Sequence, residues 1–211
     1  VDATSIDTAN GGADQLHGDG ENDVLIGGMD NDTISGDGDR DVIYGDSAKA
    51  DFTGTGLLTS VESIATGDGG SDDLYGNNVA NSAVSDDATD VVVGGIGSDD
   101  DLFGHGGRDL LIGDNAKVTF ATSTGNSLLL KAVTTAPEQG GHDDLDGGAD
   151  NDVLIGGTGG DSALGQGGLD MIVGDQAEVN FNDDLVLRVD TTDNTAAEYG
   201  NDTLSGGDAA D

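Results

Sequence analysis

The chain has no cysteine, no tryptophan, one proline (Pro137), and only six Lys and Arg among its 211 residues. Each shortage closes a class of explanation. Without cysteine there is neither a disulfide frame nor a thiolate metal site. The few cations cannot form the basic patch that phosphate contacts need, and a formal charge of −37 repels nucleic acid and anionic lipid alike. No apolar run reaches the ~20 residues that cross a bilayer, so no membrane insertion is expected. The histidines His17, His105 and His142 form no His-Glu-x-x-His pair, and no Gly-x-Ser-x-Gly elbow occurs. No enzyme is expected within these residues. No signal peptide opens the sequence and both ends fall within a repeat pattern, so a segment of a longer protein is expected.

What is abundant is glycine, 38 residues, and acid, 38 aspartates against 5 glutamates. Low hydrophobicity with high charge would by itself leave a disordered acidic chain. A solubilising tail has little reason to avoid glutamate, whereas aspartate is the short carboxylate suited to tight turns and calcium loops. Order is therefore expected with a cation present and disorder without it.

The aspartates are periodic. Residues 18–46 read GDGENDVLI, GGMDNDTIS, GDGDRDVIY, GD, nine-residue units opened by Gly18, Gly27, Gly36 and Gly45. Asp23, Asp32 and Asp41 stand sixth, and Leu25, Ile34 and Ile43 eighth. A fixed short period marks stacked turns of a solenoid. Glycine lets such a turn reverse tightly. Inward carbonyls closed by a carboxylate then make an oxygen cage, which suits Ca²⁺ better than Zn²⁺ or Mg²⁺. With two nonapeptides per coil, residues eighteen apart stack, pairing Asp14/Asp32, Asp23/Asp41, Asp143/Asp161 and Asp152/Asp170 around cations. Without the cation these pairs are close like charges.

A larger repeat is built from the small one. Asp-x-Leu/Gly motifs at Asp14, Asp72, Asp143 and Asp202, and Gly-Asp-x-Ala-x-x-x-Phe at Gly45, Gly113 and Gly174, divide one continuous segment, residues 1–211, into units 11–70, 71–141 and 142–200, with a fourth starting at 201–211. Asn77–Asp87 is expected to be a loop. Positions seven and nine must point outward from each short strand. They are mostly polar in the first and third turns (Gln15/His17, Thr33/Ser35, Asp144/Asp146, Thr203/Ser205), predicting a sheet that faces water. They are apolar in the second and fourth (Val24/Ile26, Val42/Tyr44, Leu110/Ile112, Val153/Ile155), predicting a sheet that must be covered. The segments after each fourth turn alternate like hairpins: Ala48/Ala50/Phe52 with Leu57/Thr59/Val61, Ala116/Val118/Phe120 with Leu128/Leu130/Ala132, and Ala177/Val179/Phe181 with Leu185/Leu187/Val189. They either cover the apolar sheet or leave it as a lateral interface with another copy.

The nonapeptide resembles the Gly-Gly-x-Gly-x-Asp-x-aliphatic-x signature of RTX, or haemolysin-type, calcium-binding repeats. GGIGSD at Gly94–Asp99, GGTGGD at Gly156–Asp161 and GDGEND at Gly18–Asp23 carry the likeness, which covers about two thirds of the chain. The resemblance implies an all-β fold, a right-handed parallel β-roll solenoid with multiple Ca²⁺ between turns, here interrupted by three inserted β-hairpins. It implies side-chain ligation by Asp14, Asp23, Asp32, Asp41, Asp72, Asp90, Asp99 or Asp100, Asp109, Asp143, Asp152, Asp161, Asp170 and Asp202. Carbonyl donors would come from loop residues such as Gly18, Gly20, Gly27, Gly36, Gly38, Gly94, Gly147, Gly156, Gly165 and Gly167. It further implies a calcium-folded spacer of a large extracellular or surface protein, adhesins included, exported by bacterial type I secretion. Its partners would be calcium ions and neighbouring repeats of the parent chain. The alternative is a calcium-dependent binding module for a glycan, a surface or a sister chain.

Overall fold

The computed structural model describes residues 2–4, 11–64, 69–77, 88–97, 99–123, 125–192 and 200–207. All regular structure among them is β, in three sheets. Apart from Asn77, the stretch expected to loop out at Asn77–Asp87 lies outside the described residues.

The first sheet joins β2 (Gln15–His17), β4 (Thr33–Ser35), β8 (Asp73–Tyr75), β10 (Asp101–Phe103), β14 (Asp144–Asp146), β16 (Ser162–Leu164) and β20 (Thr203–Ser205), every neighbouring pair parallel. The second joins β3 (Val24–Gly28), β5 (Val42–Asp46), β9 (Val91–Gly95), β11 (Leu110–Asp114), β15 (Val153–Ile155) and β17 (Met171–Val173), again all parallel. First and third turns therefore fill one sheet, and second and fourth turns the other. The eighth residues meet between them: Ile34, Leu74, Leu102 and Leu145 from the first sheet pack on Ile43, Val92, Leu111 and Leu154 from the second, and all but Leu145, at 2%, are wholly buried. Burying each such side chain stabilises by about 1.5–3 kcal/mol, so this thin seam is the inner core of the stack.

The third sheet is antiparallel: β1 (Asp2–Thr4), β6 (Ala48–Phe52), β7 (Leu58–Ser63), β12 (Ala116–Ser123), β13 (Asn126–Thr134), β18 (Ala177–Asn182) and β19 (Leu185–Thr191), in that order. Its Ala48, Ala50, Val61, Ala116, Val118, Phe120, Ala132, Val179 and Phe181 form one cluster with Val42, Tyr44, Val91, Val93, Leu110, Ile112, Val153 and Ile155 of the second sheet. The apolar outer face of the second sheet is thus covered from within the same chain. Arg40, in the loop before β5, reaches this layer through a bidentate pair with Asp184 (2.7 and 3.0 Å) at the β18–β19 turn, both side chains largely buried. Asp184 also accepts the Leu129 N–H at 2.6 Å, joining segments far apart in sequence.

Two expectations are corrected. Strict alternation put Leu57, Leu128/Leu130 and Leu185/Leu187 on the apolar face of the returning strands. The registers instead shift between Asp51 and Phe52, Thr119 and Phe120, and Asn180 and Phe181. A bulge adds one residue to the return strand and reverses its phase towards the tip. Leu58, Leu129 and Val186 consequently face the core cluster, and Leu130 and Leu187 stand 48% and 68% exposed. Ser35, expected to face water on the first sheet, is fully buried, its hydroxyl donating to Asp37 Oδ1 (2.9 Å) and the Asn77 carbonyl (3.0 Å).

Candidate metal centre

The sixth-position aspartates form two continuous ladders. On one edge, the backbone N–H of each donates to Oδ1 of the aspartate one coil further on: Asp14 to Asp32, Asp32 to Asp72, Asp72 to Asp100, Asp100 to Asp143, Asp143 to Asp161 and Asp161 to Asp202, at 2.8–3.1 Å. On the other edge, Asp23 donates to Asp41, Asp41 to Asp90, Asp90 to Asp109, Asp109 to Asp152 and Asp152 to Asp170, at 2.8–3.0 Å. All four stacked pairs expected from the eighteen-residue spacing are present, and the same bond spans the long excursions between blocks.

Oδ1 of each accepting aspartate is thereby used, and for several ladder members the structure leaves Oδ2 without a donor. Oδ2 of Asp23, Asp32, Asp72, Asp143, Asp152, Asp161 and Asp170 is buried with no hydrogen-bond partner. A buried carboxylate oxygen without a partner is costly, and a bound cation removes that cost. Burial, against the backbone bond from Asp32 and with Asp100 and Asp32 close by, pushes Asp72 up to about 8. Burial likewise carries Asp100, Asp143 and Asp152 to about 8, and Asp32 and Asp161 to about 6. In the cation-free chain these groups hold protons at pH values where free aspartate is charged.

At the first glycine of the nonapeptide a side chain would collide with this oxygen and, at Gly18, Gly27 and Gly94, with a carbonyl of the next coil as well. A Cβ at Gly147 would sit 2.5 Å from Asp152 Oδ2, and one at Gly94 2.5 Å from Asp100 Oδ2. At Gly18, Gly27, Gly36, Gly156 and Gly165 the same cradle would be filled by a Cβ meeting the Oδ2 of Asp23, Asp32, Asp41, Asp161 and Asp170. None of these glycines needs positive φ; the requirement is space. The turn itself bends at positions two and four, where Asp19, Glu21, Gly28, Asp30, Asp37, Asp39, Gly157 and Gly159 are left-handed. At position three, Gly20 borders open space, and the Gly167 N–H donates to the Gly148 carbonyl at 2.9 Å. Among the described residues no three acidic or histidine side chains converge on one point. A cation here must therefore draw most of its oxygens from backbone carbonyls, which suits a hard ion with a large, flexible shell. The residues present fit calcium.

Of Asp99 and Asp100, the ladder takes Asp100. Asp99 is the extra residue of its loop: exposed, left-handed at φ 69°, with its N–H given to the His142 carbonyl at 2.6 Å. Sequence reasoning passed over Asp46 and Asp114, the second residues of two Gly-Asp-x-Ala motifs. Both are buried, and burial pushes both up to about 8. The recurrence of that motif at 45, 113 and 174 was the available signal.

Comparison with known families agrees with this geometry. The model of the RTX calcium-binding nonapeptide repeat matches the chain in four copies, over residues 8–47, 146–176 and 192–211. Repeats of this family bind multiple Ca²⁺ ions and typify secreted bacterial proteins. Neither the curated proteins nor the solved structures gave a match.

Proposed function

We propose that the chain is a calcium-folded spacer, a right-handed β-roll in which ions lie between successive turns and three hairpin inserts cover one face. The observation that carries this reading is the buried, unpartnered Oδ2 of Asp32, Asp72, Asp143 and Asp161 on one ladder and of Asp23, Asp152 and Asp170 on the other. Asp14, Asp23, Asp32, Asp41, Asp72, Asp90, Asp100, Asp109, Asp143, Asp152, Asp161, Asp170 and Asp202 would supply carboxylates. Carbonyls of the glycine loops would complete each shell. Bound calcium supplies charge neutralisation and cross-turn bridging; the protein supplies spacing, burial and exclusion of water. No catalytic role is assigned.

Extracellular calcium modules bind at roughly 10⁻⁴–10⁻³ M, far above cytosolic calcium, so folding would follow export from the cell by type I secretion. One continuous segment of about sixty-residue units, set in a larger secreted or surface protein, fits that role. The test is far-ultraviolet circular dichroism of the chelated chain at neutral pH, titrated with calcium. A coil-like spectrum turning to β at millimolar calcium is expected; a β spectrum unchanged by chelator would overturn coupled folding.

One observation favours a second reading, a calcium-dependent binding module. On the outer face of the first sheet Tyr75 and Phe103 stack at 5.0 Å with His105 at 6.1 Å from each, beside the adjacent carboxylates Asp73, Asp101 and Asp144. Glycan-array binding with calcium present, lost in Tyr75→Ala/Phe103→Ala, would favour that module; no binding would leave the spacer.

A further inference from the structure

Asp46 stands outside both ladders, at position two of its turn, where β5 leads into β6. It nevertheless shares their bonding pattern. The Ile96 N–H donates to its Oδ2 at 2.5 Å and the Gly70 N–H also bonds the carboxylate, while Oδ1 is buried and has no hydrogen-bond partner. The whole residue is 4% exposed. Asp72, 1% exposed, is the carboxylate that acts on it most strongly; the Oδ2 of Asp72 is also unpartnered and fills the space beside Gly45, the residue before Asp46. A Cβ on Gly95 would strike Asp46 Oδ2 at 2.5 Å, so the loop closes on this carboxylate as the other loops close on ladder carboxylates. Two buried like charges with two orphaned oxygens, set among backbone carbonyls, are stable only with a cation or with protons.

Resting on the calcium reading above, we propose that Asp46 is a side-chain ligand of a calcium site shared with Asp72 where the first four-turn block passes to the second, and that this site fills before the others. Calcium affinity rises with the number of charged ligands. Along the ladders only sixth-position carboxylates of successive coils face an ion; here a position-two carboxylate is added to them. Asp114, its counterpart at the next passage, makes the opposite choice. Its Oδ1 accepts the Gly141 N–H at 3.3 Å and its Oδ2 the Thr158 N–H, so protein donors close both oxygens. The same motif thus gives a ligand at one passage and a backbone staple at the other.

The experiment is a titration of the whole chain with calcium by calorimetry and with terbium by luminescence, the indole-free chain leaving tyrosine as sensitiser. Tyr44 lies two residues before Asp46. In the wild type the first terbium equivalents should give tyrosine-sensitised emission that Tyr44→Phe removes. Asp46→Asn should lose one tightly bound ion, or weaken the earliest calcium phase at least tenfold. Asp19→Asn, altering an exposed position-two aspartate, should titrate as wild type. An unchanged ion count and affinity in Asp46→Asn would overturn the proposal. So would early terbium emission that survives Tyr44→Phe, which also decides the matter if Asp46→Asn fails to fold. A wild type that binds no calcium at all would overturn the spacer reading itself, and is thereby distinguished.

Discussion

The backbone N–H of Asp32 donates to Oδ1 of Asp72 at 2.8 Å, although forty residues separate them. Between Asp14 and Asp32, eighteen residues apart, the bond is the same length. The stack therefore continues at constant register while the chain between Asp32 and Asp72 leaves to build β6 and β7. Asp32 and Asp72 thus divide two duties between their oxygens: Oδ1 ties each to the preceding coil, and Oδ2 is left buried without a hydrogen-bond partner.

These two duties separate in Asp143→Asn. The amide can still accept the Asp100 N–H, but it carries no charge. Without calcium the variant should be more stable than wild type, because one member of a like-charge ladder is removed. With calcium it should be less stable and bind fewer ions. Thermal midpoints with and without chelator check both signs; a shift of the same sign in both conditions would contradict the division of labour.

Glycine at position one is required for space, not for φ, so the cost of alanine depends on what lies beside it. Gly147→Ala places a methyl 2.5 Å from Asp152 Oδ2 and should cost both stability and the local ion, an overpacking penalty of about 1–3 kcal/mol. Gly54→Ala, at the β6–β7 turn with nothing within 4 Å of the added carbon, should change stability by less than about 0.5 kcal/mol. Denaturant unfolding in saturating calcium compares the two.

The covering layer makes a second contrast. Phe120 is 6% exposed inside the cluster joining the second and third sheets, whereas Leu187 is 68% exposed at a bulge. Phe120→Ala should cost about 3–5 kcal/mol, and Leu187→Ser should fall within about 0.5 kcal/mol of wild type. Ile155→Asp would place a charge under the same layer and should unfold the monomer. A monomer that stayed folded but lost self-association would mean that the apolar face belongs to a partner.

Much of this was legible beforehand for a physical reason. Period two within a three-residue strand leaves no freedom about which side chains point inward, so the polarity of Thr33/Ser35 against Val42/Tyr44 sorted the turns into two sheets. The bulges at Phe52, Phe120 and Phe181 were hidden because a bulge changes pairing without changing local composition; Leu128/Leu130 alternate as well as Leu129 does not. Asp99 and Asp100 could be told apart only by which N–H reaches Asp143. Asp46 escaped because its motif abandons the nonapeptide pattern in the next few residues. Its role depends on Ile96 and Asp72, which no local spacing announces.

Protonation should partly replace calcium. Burial raises Asp72, Asp100, Asp143 and Asp152 to about 8 in the cation-free fold, against about 3.9 in the unfolded chain. The folded state then binds more protons than the unfolded one between these values, so stability falls as pH rises. The contribution is fully present below about pH 4 and is lost as pH rises through about 8. Chelated protein at neutral pH should thus be mostly unfolded and should gain β signal on acidification towards pH 4. Calcium requires the charged form, so in its presence the dependence reverses: acid should weaken binding and raise the calcium needed for half-folding. Circular dichroism across pH 4–8, with chelator and at fixed calcium, reads both arms. A chelated chain that loses β signal on acidification would show that the ladder aspartates are ionised in the fold, and that something other than protons or calcium neutralises them.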